Sequence, residues 1–339
     1  MYTLKNKYID NKKISIIEIK QNNIEVSFMD YGAMILSILV PDKNKKFENV
    51  LMGFEDLESY VNNSIYLNAI IGPTSGRIGN GSFSINGIEY NIERNFLDKA
   101  NLHGGSETFA YKLFRYEIID NKHYTKVIFS LFKKQEDSKY PGNQNIRVIY
   151  TVSNGEILIE FKASTNEDTL LNLTSHAYFN LSGNLKSNIL KHQLYLNSSN
   201  AIKLDEYSVP FEVESILNTK LDYKEFREVK SNGFEGIDNP FLIDTVDFSI
   251  PCAIVKDDIS KRKLEVFTDY ECVVCYTHEY PNDLKLVNNK DQVKNMGICF
   301  EAQHSPNGIN IKGLEDSILT KDKLYNQKTL FRFSIDKVI

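Results

Sequence analysis

The chain has 339 residues, 42% of them hydrophobic and 25% charged, with a formal charge of −5. That is ordinary globular composition, with enough length to bury a sizeable core. No Lys/Arg run interleaves with aromatics, and no stretch approaches the roughly 18 apolar residues of a membrane span, so nucleic acid and membrane are excluded as expected partners.

Residues 1–13 are polar with scattered lysines and lack the apolar centre of an export signal, so a cytoplasmic location is expected. The four cysteines, Cys252, Cys272, Cys275 and Cys299, then read as reduced thiols. Cys272 and Cys275 have metal-knuckle spacing. No second such pair accompanies them, and they sit in the apolar run Cys-Val-Val-Cys-Tyr, which predicts a buried strand and not a zinc site.

Along the chain the dominant period is two. Residues 14–20, 24–28 and 33–40 predict strands, the last ending at the turn Pro41-Asp-Lys-Asn44. A further strand is predicted over 50–54 and a short helical turn over 57–62. Asn86-Gly87 between two alternating runs predicts a hairpin, because both residues tolerate the positive φ of a type I′ turn. From 113 to 164 four strands are predicted, at 116–119, 125–132, 146–152 and 157–162, joined by short turns as in an antiparallel meander. Runs at 189–196, 242–243, 253–255, 263–268, 273–277 and 330–335 continue the pattern. No long segment carries a helical period, and no linker or repeat interrupts the chain. The expectation is an all-β protein, one large antiparallel β-sandwich over 1–339.

Three islands of polar crowding break this pattern. Residues 172–183, Asn-Leu-Thr-Ser-His-Ala-Tyr-Phe-Asn-Leu-Ser-Gly, hold His176 beside the aromatics Tyr178 and Phe179. Asn101-Leu-His-Gly-Gly105 places His103 before two glycines, and Phe300-Glu-Ala-Gln-His-Ser-Pro306 places Glu301 after an apolar run. A buried polar group without a partner costs about 1–3 kcal/mol, so such islands are structural knots or a shared site. Three of them favour a site. Arg77 in Ser75-Gly-Arg-Ile-Gly-Asn-Gly81 can aim a planar donor fork at hydroxyls, and Asp238 is expected in the turn Gly236-Ile-Asp-Asn-Pro240.

In order and spacing these motifs resemble the aldose 1-epimerase (galactose mutarotase) family, over nearly the whole chain. The resemblance implies a β-supersandwich and interconversion of the α and β anomers of a free aldohexose such as galactose or glucose, with no cofactor. It implies Glu301 as the general base on the C1 hydroxyl and His176 as the general acid on the ring oxygen. Arg77, His103 and Asp238 match positions that bind sugar hydroxyls. Ring opening removes one proton from O1 and adds one to O5, so a carboxylate and an imidazole suffice.

The sequence departs from the family pattern at Gly76, where Asn is common, at Asn239, where His is common, and at Val274, which aligns with a sugar-side glutamine. It has no tryptophan. Two alternatives compete: a sugar-binding protein of this fold without turnover, and a metal-dependent isomerase using His103, His176 and Glu301. A phosphorylated sugar would need more positive charge than Arg77 alone supplies. The expected partner is a small sugar, and oligomeric state is left open.

Overall fold

Turn chemistry fixes the strand registers. In this computed structural model, which describes residues 1–9, 11–231 and 233–336, Asn86 and Gly87 take φ of 52° and 78° between the strands Ser82–Ile85 and Ile88–Asn91. Asp42 closes its turn by accepting from the Asn44 and Lys46 N–H groups at 2.8 and 2.9 Å.

Three antiparallel sheets carry the architecture. A five-stranded meander runs in chain order through Tyr2–Ile9, Lys12–Gln21, Ile24–Met29, Met34–Pro41 and Phe47–Asn49. A nine-stranded sheet contains the predicted meander as Arg115–Asp120, Thr125–Lys133, Gln144–Ser153 and Glu156–Thr165. It continues through Tyr325–Ile335, Arg262–Thr268, Ala253–Lys256, Gln193–Leu196 and Arg227–Glu228. A six-stranded sheet orders Tyr178–Phe179, Ile298–Gln303, Cys272–Tyr276, Asp238–Leu242, Asn200–Leu204 and Pro210–Ser215. Helix is confined to Glu58–Val61 and short 3-10 turns among the described residues. The antiparallel β-sandwich is the predicted class.

One hydrophobic core joins the sheets and runs from Ile17 to Phe333. Phe28 of the small sheet meets Phe129 and Tyr150 of the large one, with ring centroids 6.4 and 4.6 Å apart. Phe179 of the six-stranded sheet meets Phe331 edge-on at 4.9 Å. Each buried ring contributes about 1.5–3 kcal/mol. Arg262, fully buried, donates to the carbonyls of Val40, Leu181 and Lys46 and to Glu48, which ties the large sheet to the small one. Burial opposes charge on Glu48, but Lys186, Lys46 and Arg262 override it and hold the carboxyl down to about 2. Removing Arg262 would leave Glu48 paired with Lys186 and Lys46 but would take away the buried link between the two sheets.

Several predicted elements are corrected. Residues 50–54 are not a strand. The strand is Phe47–Asn49, because the Asn49 side chain accepts from the N–H of Ile38 and of Leu51 and so takes a ladder partner's place. The run at 189–196 is extended only from Gln193, since His192 N–H closes a turn onto the Ile189 carbonyl. Asp238 opens a strand and does not sit in a turn. Pro240 is accommodated there because the ladder with Asn200–Leu204 ends at Phe241, which leaves residues 238–240 at an edge. Tyr2–Ile9 lies within the polar stretch 1–13, and its strand went unpredicted. Cys272 and Cys275 lie in the buried strand expected of them, three residues apart and so on opposite faces.

Candidate active site

The six-stranded sheet presents one face of alternate residues to a cavity of about 610 Å³. Asp238 and Pro240, Val274 and Tyr276, and Glu301 and Gln303 all line it, as the strand period requires. Tyr178 lines it too. Phe179, its neighbour, points to the other side and packs on Phe300 and Phe331, so the sequence expectation of an aromatic face there is corrected to Tyr178 alone.

The polar crowding at 172–183 separates into scaffold and site. Asn172 donates to the His304 carbonyl at 2.8 Å and accepts from the His304 N–H at 2.9 Å. Thr174 donates to the Ala302 carbonyl at 2.8 Å. These two residues clamp the strand that bears Glu301. Two residues on, His176 has its backbone fixed on the segment 68–69, with its N–H donating to the Ala69 carbonyl and its own carbonyl accepting from Asn68 N–H. His176 Nε2 stands 3.5 Å from Glu301 Oε1, and Nδ1 stands 3.5 Å from the Cys299 sulfur. Its ring stacks on Tyr178 with centroids 5.0 Å apart.

His103 reaches the same cavity from a turn at φ 55°. Gly104 follows at φ 87°, where a Cβ would meet Pro73 Cδ at 2.6 Å, so a glycine is needed. His103 Nδ1 accepts from the Gly76 N–H at 3.2 Å. Burial, aided by the neighbouring His176 and Arg77, holds the imidazole well below its usual pKa. The ring is therefore neutral with its proton on Nε2, a donor for an oxygen in the cavity. Arg77, over the ring of Phe96, lies 3.7 Å from Asp238. All five predicted residues, Arg77, His103, His176, Asp238 and Glu301, line this one cavity.

Burial pushes the Glu301 carboxyl up to about 8; the Asp238 charge adds to the shift and Arg77 opposes it. Burial pulls His176 down to about 4. At neutral pH the pair thus keeps its titrating proton on the carboxyl and leaves the imidazole neutral. Both Glu301 and His176 are available to move a proton, and they start from the state opposite to the carboxylate–imidazolium pair implied by the sequence.

His103, His176 and Glu301 also bring ligand atoms within 4.8 Å of one another. A metal on His103 Nε2 requires the tautomer with Nδ1–H, which would face the Gly76 N–H donor-to-donor. A metal on Nδ1 would displace that hydrogen bond. The donor set fits a sugar oxygen better than an ion.

Sequence reasoning missed Tyr66 and Gln303. Tyr66, at φ 54°, comes from an unpatterned loop; it lines the cavity, stacks on Tyr111 and meets His103 edge-on. Tyr66, backed by Tyr111, walls the site in a chain without tryptophan. Gln303 was visible in its motif without a role; it is fully buried, and its Oε1 has no partner, which leaves an acceptor in the cavity wall. Of the departures, Gly76 and Val274 line the cavity and Asn239 does not. A Cβ at Gly76 would lie 2.4 Å from Pro306 Cβ, so asparagine does not fit this packing.

An antiparallel β-sandwich with a buried carboxyl–imidazole pair facing a cavity defines a class of acid–base, proton-transfer sites. The profile of the aldose 1-epimerase family matches residues 15–332. The chain belongs to that family. It is 29% identical to the human galactose mutarotase over 327 residues, covering 94% of this chain and 93% of that one. It is 28% identical to the aldose 1-epimerase of Streptococcus thermophilus over 338 residues, covering 96% of each. Among solved structures, an aldose epimerase homologue from C. elegans superposes with a TM-score of 0.88 at 23% identity, covering 95% of this chain and 99% of that one. A galactose 1-epimerase from Lactobacillus acidophilus superposes at 0.87 and 21% identity, covering 99% of each.

Proposed function

We propose that the chain is an aldose 1-epimerase that interconverts the α and β anomers of a free aldohexose such as galactose or glucose. The observation that carries this reading is the buried Glu301–His176 pair, 3.5 Å apart. One proton on such a pair serves both ring opening and ring closure.

In the proposed cycle, carboxylate Glu301 takes the O1 proton while imidazolium His176 protonates O5, and the C1–O5 bond breaks. The aldehyde then faces protonated Glu301 and neutral His176. After rotation about C1–C2, His176 takes the proton from the O5 hydroxyl, Glu301 returns one to the carbonyl oxygen, and closure on the other face gives the other anomer. At neutral pH the pair rests in the protonation state of the open-chain stage. A cyclic sugar is turned over once the proton has crossed from Glu301 to His176. The donors Arg77 and His103 Nε2–H and the acceptor Asp238 hold the hydroxyls.

The cavity wall disfavours a phosphorylated sugar: Arg77 is its only Lys or Arg among the described residues, and Asp238 already faces it. The proposal treats 1–339 as one catalytic unit, in line with the core that runs from Ile17 to Phe333. It places the protein in the cytoplasm, where its four buried free thiols would stay reduced. Among the described residues no helix is long and apolar enough to cross a membrane.

Polarimetry on freshly dissolved α-galactose and α-glucose, with and without EDTA, tests the reading. A rate above the buffer rate, unchanged by EDTA, is the expected result. Loss of the rate with EDTA would favour a metal-dependent isomerase, and no rate above buffer would favour a sugar-binding protein.

A further inference from the structure

The imidazole of His176 is met at both nitrogens by a single strand. Cys299 and Glu301 stand two residues apart on Ile298–Gln303 and so share a face. Glu301 Oε1 lies 3.5 Å from Nε2, and the Cys299 sulfur lies 3.5 Å from Nδ1. The cycle described above uses the first contact and leaves the second without a role.

The other groups around the ring meet it through faces and edges. Tyr178 stacks on it with centroids 5.0 Å apart and Tyr66 at 6.4 Å, while His103 and Tyr276 meet it edge-on at 5.4 and 6.1 Å. The Tyr178 hydroxyl donates to the Ile65 carbonyl, and the Tyr276 hydroxyl accepts from the Glu279 and Tyr280 N–H groups. Arg77 and Asp238 act on the neighbouring Glu301. Among the described residues it is therefore the sulfur that faces Nδ1 at hydrogen-bond range.

Cys299 is fully buried, and burial, with the Glu301 charge adding to it, pushes its thiol well up, so the group stays a neutral thiol. Such a sulfur either accepts weakly on a lone pair or offers a weak S–H. The chemistry selects between the two, because the bond made by one ring nitrogen fixes the state of the other. With S–H donating to Nδ1, the neutral ring carries its hydrogen on Nε2 and has no lone pair there for the Glu301 proton. With the sulfur accepting from Nδ1–H, Nε2 is free to take that proton, give it to O5 and receive it again.

We propose that Cys299 is a positioning residue for the epimerase reaction: its sulfur accepts from His176 Nδ1–H through the whole cycle and so reserves Nε2 for the proton that moves. This deepens the epimerase reading and rests on it. Thiol sulfur is a weak acceptor, so it adds little basicity to the ring. Burial, opposed in part by the residue's own carbonyl, still pulls His176 down to about 4, and the imidazolium remains a strong acid toward O5.

Nitrogen-15 NMR of the full chain labelled at histidine reads the tautomer directly, with His176→Asn assigning the signal. At neutral pH His176 should carry its hydrogen on Nδ1. Cys299→Ala should reduce the share of that tautomer and lower kcat about three- to tenfold, the scale of one hydrogen bond. KM should change little, because Cys299 does not line the cavity. Cys299→Ser supplies a hydroxyl acceptor and should restore both the Nδ1 hydrogen and most of kcat, an outcome that refilled packing alone would not give. A hydrogen on Nε2 in an active wild-type protein would overturn the role of the sulfur alone. So would a Cys299→Ala protein unchanged in tautomer or in kcat, or a serine variant no better than the alanine one. No mutarotation by the wild-type chain would overturn the epimerase reading with it.

Discussion

His176 Nε2 lies 3.5 Å from Glu301 Oε1, with their side chains only 6% and 4% exposed. At that distance and depth the two groups titrate as one unit, and what matters is how many protons the pair holds. The neutral pair and the carboxylate–imidazolium pair carry the same count, so both belong to one active protonation level.

The first consequence is a wide pH plateau. Glu301, pushed up to about 8, gives up its proton only above that pH, and His176, pulled down to about 4, gains one only below that pH. The mutarotation rate should be flat between these limits and fall on either side. Ordinary values would place the upper fall near 6.5, the usual imidazole pKa. Infrared spectra at neutral pH should show a protonated-carboxyl band that Glu301→Gln removes. An upper limb near 6.5 with no such band would show that the proton rests on His176.

Asp238 acts on the sugar and on Glu301 at once. Asp238→Ala should raise KM more than it lowers kcat, by about tenfold or more if it holds a hydroxyl as a charged acceptor. Because the Asp238 charge helps to raise the Glu301 pKa, its removal should also move the upper pH limb downward. A galactose-soaked crystal with Asp238 remote from every sugar hydroxyl would end the binding role.

Val274 stands directly across from Glu301 in the strand register and lines the cavity, while its neighbours Val273 and Cys275 face the core. A one-residue slip would have reversed those faces. Val274→Gln should add one hydrogen bond to the sugar, worth about 0.5–1.5 kcal/mol, and lower KM up to about tenfold. Unchanged KM and kcat would show that position 274 does not reach the sugar.

The sequence carried the strands whose burial alternates and the three polar islands that converge. It concealed what depends on partners remote in the chain. Tyr2–Ile9 is exposed along nearly its whole length, so no alternation marks it. Asn49 ends its strand through its own side chain, and Asp238 is extended because it pairs with Tyr276. The direction of the two pKa shifts follows from burial, which a motif does not encode.

The most direct test of the account is the rate of Glu301→Gln, measured as mutarotation minus the spontaneous rate, with circular dichroism as the fold control. A general acid–base group contributes roughly 10²- to 10⁴-fold. The account predicts a folded variant slowed at least about a hundredfold, with little further loss on adding His176→Asn, since both protons move to open one ring. A folded Glu301→Gln protein that kept most of the wild-type rate would contradict it.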